Sequence, residues 1–162
     1  MKIAILSDIH DEASHLARAL EKARGADVLV CCGDLCSPFI LQDLGRGFSG
    51  PVHVVFGNND GDLFRMTGMA TQFPQMILHG EYAELDFDGV SFSVNHFDHI
   101  GRSIAKGEKY DVVCFGHNHE FEISSVGKTL VINPGEVYGK RKGAATFVIY
   151  DTETRQATRV DL

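Results

Sequence analysis

Tryptophan is absent from this 162-residue chain, and proline and cysteine each occur only four times. Cys31, Cys32, Cys36 and Cys114 lie in or beside apolar runs, which points away from a disulfide framework and toward reduced, buried thiols. The Cys31-Cys32-x3-Cys36 spacing lacks the second CxxC knuckle that a thiolate metal site would require. No repeat, low-complexity tract or linker interrupts the chain, so residues 1–162 are expected to form a single domain. No apolar run reaches membrane-spanning length. The opening "MKIAILSDIH" turns polar after one short run and carries no small-residue cleavage site, which makes a cytoplasmic protein without a membrane partner the expectation. Positive charge is also scarce, with 15 Lys and Arg against 22 Asp and Glu and a net charge of −7. That balance argues against stable nucleic-acid binding through a basic surface, while leaving room for a small anion in one locally positive pocket.

Short apolar runs are plentiful. "KIAIL" at 2–6, "VLVCC" at 28–32 and "VHVVF" at 52–56 are continuous, as in parallel strands covered on both faces. Later runs at 82–87, 90–94, 111–115, 121–126, 129–133, 145–150 and 157–162 include several that alternate, and the glycine turns "DFDGV" and "SVGKT" predict hairpins among them. Between the first two runs, Ala13, Leu16, Ala17, Leu20 and Ala23 recur at helical spacing and Gly25 supplies a stop. Further helices are expected near 38–47, 61–72 and 98–106. The order βαβαβα followed mostly by hairpins predicts an α/β fold with two sheets sandwiched between helices.

Polar residues collect where strands end. "SDIH", "GDLC", "GNND", "NHFDH" and "GHNH" each follow a predicted strand, and ligands of α/β sheets bind outside the carboxyl ends of the strands. Asp8 and His10, like His117 and His119, are spaced i, i+2, so on extended backbone each pair would project in one direction. Gly33 and Gly57 precede Asp34 and Asn58 and permit close backbone approach. Carboxylate, imidazole and amide ligands together suit Mn²⁺, Fe²⁺, Ni²⁺ or Zn²⁺. With a histidine of "NHFDH" these make seven side chains, too many for one ion and suited to two ions sharing a carboxylate.

The ordered series "DIH" 8–10, "GD" 33–34, "GNND" 57–60, His96 and "GHNH" 116–119 resembles the calcineurin-like metallophosphoesterase superfamily over the whole chain. The small size and "NPG" at 133–135 are most similar to its compact YfcE-type phosphodiesterase branch. The resemblance implies a four-layer α/β/β/α fold and a dinuclear centre, with Asp8, His10 and His119 on one ion, Asn58, His96 and His117 on the other, and Asp34 bridging. Mn²⁺ is the favoured metal, with Ni²⁺, Fe²⁺ or Zn²⁺ as alternatives. In such a centre a bridging water between ions about 3.5–4 Å apart becomes the hydroxide that attacks phosphorus. His99 is the alternative to His96, because "HFDH" stands where the family usually has H-G or H-G-H.

Asn59 and Asp60 are the remaining candidates for a direct part in the reaction. Asn59 occupies the place of the histidine that protonates the leaving group in monoesterases; an amide can donate to a phosphoryl oxygen but releases no proton. Asp60 is expected to orient the tip. Glu136 replaces the serine of the family's "NPGS" turn and would bring negative charge near the substrate. His15, His53 and His79 have no evident companions, and "GKRKG" at 139–143 reads first as a solvated turn. The implied substrate is a small phosphodiester, with a homodimer as a candidate assembly. The same fold also serves as a non-catalytic protein-interaction scaffold in a retromer coat subunit whose metal site is degraded, which makes completeness of the ligand set the discriminating feature.

Overall fold

The computed structural model describes residues 1–162. β1 (Lys2–Leu6), β2 (Val28–Cys31) and β3 (Val52–Val54) run parallel and are joined by the crossover helices α1 (Ala13–Lys22) and α2 (Pro38–Gly47). Their near-continuous burial explains the unbroken apolar runs, since both faces of this sheet are covered. After α3 (Leu63–Ala70), whose N-terminus is capped by the Asp62 carboxylate accepting from the Arg65 N–H, β4 (Met76–Leu78) extends the same sheet in parallel. β4 is not expected from the sequence, because three residues carry no measurable periodicity.

The second sheet begins with the hairpin β5 (Tyr82–Phe87) and β6 (Val90–Asn95). Helix α4 (Asp98–Ala105) then returns the chain to β7 (Val112–Cys114), which pairs parallel with β6 and with β9 (Thr129–Asn133). The centre of this sheet is therefore parallel rather than the run of hairpins expected, because α4 crosses over between β6 and β7. β8 (Glu122–Val126) closes a hairpin with β9, and β10 (Thr146–Asp151) with β11 (Gln156–Asp161) returns to the first sheet beside β1. The strand orders are β11-β10-β1-β2-β3-β4 and β5-β6-β7-β9-β8.

Three apolar layers hold this arrangement. Leu16, Leu20, Leu41 and Leu44 of α1 and α2 pack with Leu6, Leu29 and Val54 of the first sheet. Ile3, Ile5, Val30, Phe92, Val94 and Tyr150 fill the space between the sheets. Ala105, Val113, Phe115 and Val131 seal α4 against the outer face of the second sheet. Each such fully buried Leu, Ile or Phe stabilises the fold by about 1.5–3 kcal/mol. The result is the expected α/β/β/α sandwich. No helix is long and apolar enough to cross a membrane.

Candidate metal centre at the strand tips

The ends of β1, β2, β3, β6 and β7 converge through direct hydrogen bonds between their loops. The N–H groups of Asp8, Ile9 and His10 donate to the carbonyls of Gly33 and Asp34. His96 Nδ1 lies 2.8 Å from the Cys32 carbonyl, and the Gly116 N–H donates to the His96 carbonyl. The two sheets thus deliver their tips to one place. Close approach requires the glycines: a Cβ on Gly33 would lie 2.7 Å from the Gly57 nitrogen, and one on Gly57 would lie 2.2 Å from Asp34 Oδ1.

The backbone of these tips differs from the extended form expected. Asp8, His10, Asp34, His117 and His119 all have positive φ, between 46° and 73°. A non-glycine residue there costs on the order of 1–3 kcal/mol. The left-handed turns aim each side chain inward instead of alternating along a strand, and the loop hydrogen bonds hold the strained conformations in place.

Two groups of side chains result. In one, His119 Nε2 lies 3.4 Å and His10 Nε2 3.6 Å from Asp8 Oδ1. In the other, His96 Nε2 lies 3.3 Å from Asp34 Oδ2 and 3.1 Å from Asn58 Oδ1, and His117 Nδ1 lies 2.9 Å from the same amide oxygen. Asp34 Oδ2 is also 3.4 Å from His10 Nε2, so a single carboxylate oxygen faces both groups. Asp8 Oδ1 and His10 Nε2 are buried with no hydrogen-bond partner. Leaving such atoms unpaired costs about 1–3 kcal/mol each, a cost that a coordinated cation would remove. The donor set therefore fits divalent metal, and the seven expected side chains lie together. His99 does not join them; its side chain is 72% exposed and directed toward Asp98.

The electrostatics follow from the same contacts. The Asp8 carboxylate lifts the His10 pKa above its usual value. Burial works against protonation of His96, but the adjacent Asp34 carboxylate outweighs it and raises that pKa as well. Burial alone would raise Asp34; contact with His96 and the donors of Asn59 reverse this and hold its carboxyl well below the ordinary carboxylate range.

Neighbouring residues account for the precision of the arrangement. Asp60 accepts three backbone N–H groups, from Asp34 (3.0 Å), Cys36 (2.9 Å) and Gly57 (2.7 Å). Both its oxygens are committed to the backbone, where they brace two tips against each other. Asn59 is likewise engaged: its N–H donates to Asp34 Oδ1 at 2.9 Å and its amide Nδ2 to Asp34 Oδ2 at 2.8 Å. Its first contact is thus Asp34 rather than an open position for a phosphoryl oxygen.

Glu136 lies fully buried behind His119, with Oε2 2.7 Å from Nδ1. It does not carry charge into a substrate space, as its place in "NPGE" had indicated. Carboxylate–histidine pairing fixes the imidazole so that Nε2 offers its lone pair. Arg141, within the turn read as solvated, reaches His119 Nε2 at 3.4 Å and joins His10, Asn59 and Tyr138 around a cavity of about 230 Å³. Larger hollows, about 500 Å³ between α1 and α2 and about 900 Å³ along α3, carry no converged set of histidines and carboxylates.

Fold and site together define a metallophosphoesterase, and comparison with known proteins agrees. The calcineurin-like phosphoesterase superfamily domain matches residues 1–155. A phosphodiesterase of Methanocaldococcus jannaschii is 30% identical, covering 100% of this chain and 99% of its own. A solved archaeal phosphodiesterase superposes with a TM-score of 0.92 at 29% identity, over 100% of both chains. The phosphoesterase YfcE of E. coli shares the fold, with a TM-score of 0.71 at 19% identity over 99% of this chain and 98% of its own. The chain belongs to the calcineurin-like phosphoesterase superfamily.

Proposed function

We propose that this protein is a metal-dependent phosphodiesterase with a dinuclear centre, in which Asp8, His10 and His119 bind one ion, Asn58, His96 and His117 the other, and Asp34 both. The observation that carries this reading is Asp34 Oδ2, which lies within 3.4 Å of a histidine nitrogen from each group. Bound divalent ions, with Mn²⁺ the first to test, would supply Lewis-acid charge and activate water at neutral pH. The chain's own residues hold that site in shape. The Cys32 carbonyl accepts the Nδ1 proton of His96, leaving Nε2 directed at Asp34 and Asn58. Glu136 does the same for His119.

The leaving group receives no proton from Asn59, because an amide cannot act as a general acid and this one is bonded to Asp34. General-acid help worth about 10²–10⁴ in rate is therefore missing at this position. Substrates with stable leaving groups are favoured: aryl phosphodiesters and strained cyclic diesters ahead of alkyl monoesters. Completeness of the converged ligand set supports an enzyme over an interaction scaffold. Assay of the Mn²⁺-loaded protein on aryl diesters and alkyl monoesters tests the reading. Diesterase activity should dominate, and Asn59→His should raise monoester turnover; rapid monoester hydrolysis by the wild type with little diesterase activity would contradict it.

A further inference from the structure

Three consecutive cations lie in the turn after Glu136, and they are not equivalent. Lys140 pairs with Glu12 at 2.5 Å and Lys142 with Glu120 at 2.6 Å. Arg141, between them, has no carboxylate partner; its guanidinium instead contacts His119 Nε2 and borders the cavity shared with His10, Asn59 and Tyr138. Its backbone is anchored where its side chain is free. Glu136 Oε1 accepts the N–H of Arg141 at 2.9 Å and of Lys142 at 2.6 Å, while Oε2 holds His119. One buried carboxylate therefore fixes both a candidate metal ligand and the base of the arginine's loop.

The His119 Nε2 lone pair can accept a hydrogen bond from Arg141 or coordinate a cation, but not both. With an ion on Nε2, rotation of the arginine side chain alone carries the guanidinium off His119, its backbone staying pinned beside the same cavity. A guanidinium keeps its charge at any pH the protein would meet, and its planar fork of N–H donors matches two oxygens of one phosphoryl group. At a site whose neighbouring amide can donate no proton, such a fixed cation offsets charge that no local acid can neutralise.

We infer that Arg141 binds the non-bridging oxygens of the substrate's phosphoryl group, its backbone anchored beside the cavity by Glu136. The inference rests on the phosphoesterase reading above. It is tested by calorimetric titration of the full-length, Mn²⁺-loaded protein with inorganic phosphate, alongside aryl diester kinetics and metal analysis, for wild type, Arg141→Ala, Arg141→Lys and Lys140→Ala. Arg141→Ala should keep its metal and its thermal midpoint and lose about 10- to 100-fold in both phosphate affinity and kcat/KM. Arg141→Lys should recover part of the loss, and Lys140→Ala should match wild type. Phosphate affinity and kcat/KM within twofold of wild type in metal-replete Arg141→Ala overturn the inference. So does a change in metal affinity with phosphate binding intact, which would make Arg141 only a partner of His119. A wild type that binds metal and phosphate but hydrolyses no phosphoester removes the functional reading and leaves the Arg141 contact to be decided by calorimetry. A wild type that binds no phosphate removes the contact itself.

Discussion

This chain contains two histidine clusters that behave in opposite ways. At the strand tips, His10 and His96 lie against Asp8 and Asp34, and their pKa values are raised. In the first sheet, His53 of β3 and His79 just after β4 stack 5.2 Å apart, with Nδ1 of one 2.9 Å from Nε2 of the other and Phe87 against His53. There burial lowers both pKa values, and for His53 the prospect of a second positive charge on His79 adds to the effect. Two imidazoles in contact do not make a metal site. Carboxylates held on left-handed turns, with oxygen and nitrogen atoms left unpaired, distinguish the first cluster from the second.

The sharpest way to break this contrast is to remove its shared carboxylate. Asp34→Asn should cost more than about 10³-fold in phosphodiester hydrolysis, the consequence of losing several kcal/mol of charge stabilisation, and should lower the bound metal per chain. Gly57→Ala attacks the same carboxylate sterically. Its Cβ would lie 2.2 Å from Asp34 Oδ1, so Asp34 must move, and activity should fall sharply while far-UV circular dichroism stays native. Glu136→Gln should weaken metal binding by about 10- to 100-fold, the usual effect of altering the partner of a ligating histidine, with chelator competition as the readout.

The second cluster should register in stability and not in metal content. Because His53 and His79 bind protons less readily folded than unfolded, stability is fully present above pH 6.5, the ordinary histidine value, and is lost as pH falls below it. His53→Phe should flatten the thermal midpoint between pH 7 and 5.5 by a few degrees, since about 1 kcal/mol moves the midpoint by roughly 2–4 °C in a domain of this size. Equal metal content and activity in that variant would complete the contrast.

Much of the first cluster was legible in the sequence, because its members follow strands whose apolar runs announce themselves. Topology brings strand ends together whatever the details of the loops. The turn geometry was not legible: i, i+2 spacing is compatible with extended or left-handed backbone, and inter-tip hydrogen bonds hold the latter at Asp8, His10 and His117. An orienting role for Asp60 and the lack of a transferable proton at Asn59 could be read from their places in "GNND", but not their partners. Only the folded structure shows Asp60 on three backbone donors and Asn59 on Asp34. Glu136 did carry a signal, its departure from the serine of "NPGS", but its carboxylate is turned toward His119 rather than open space. The His53–His79 pair was missed because it joins β3 to the residue after β4, a pairing that a single sequence does not display.

The most direct test of the account is a Mn²⁺ titration of the metal-free wild type and of Asp34→Asn by calorimetry with elemental analysis. Two equivalents per chain in the wild type and a loss of stoichiometry in the variant are predicted. Two equivalents retained by Asp34→Asn, or none taken up by the wild type, would contradict the shared-carboxylate centre.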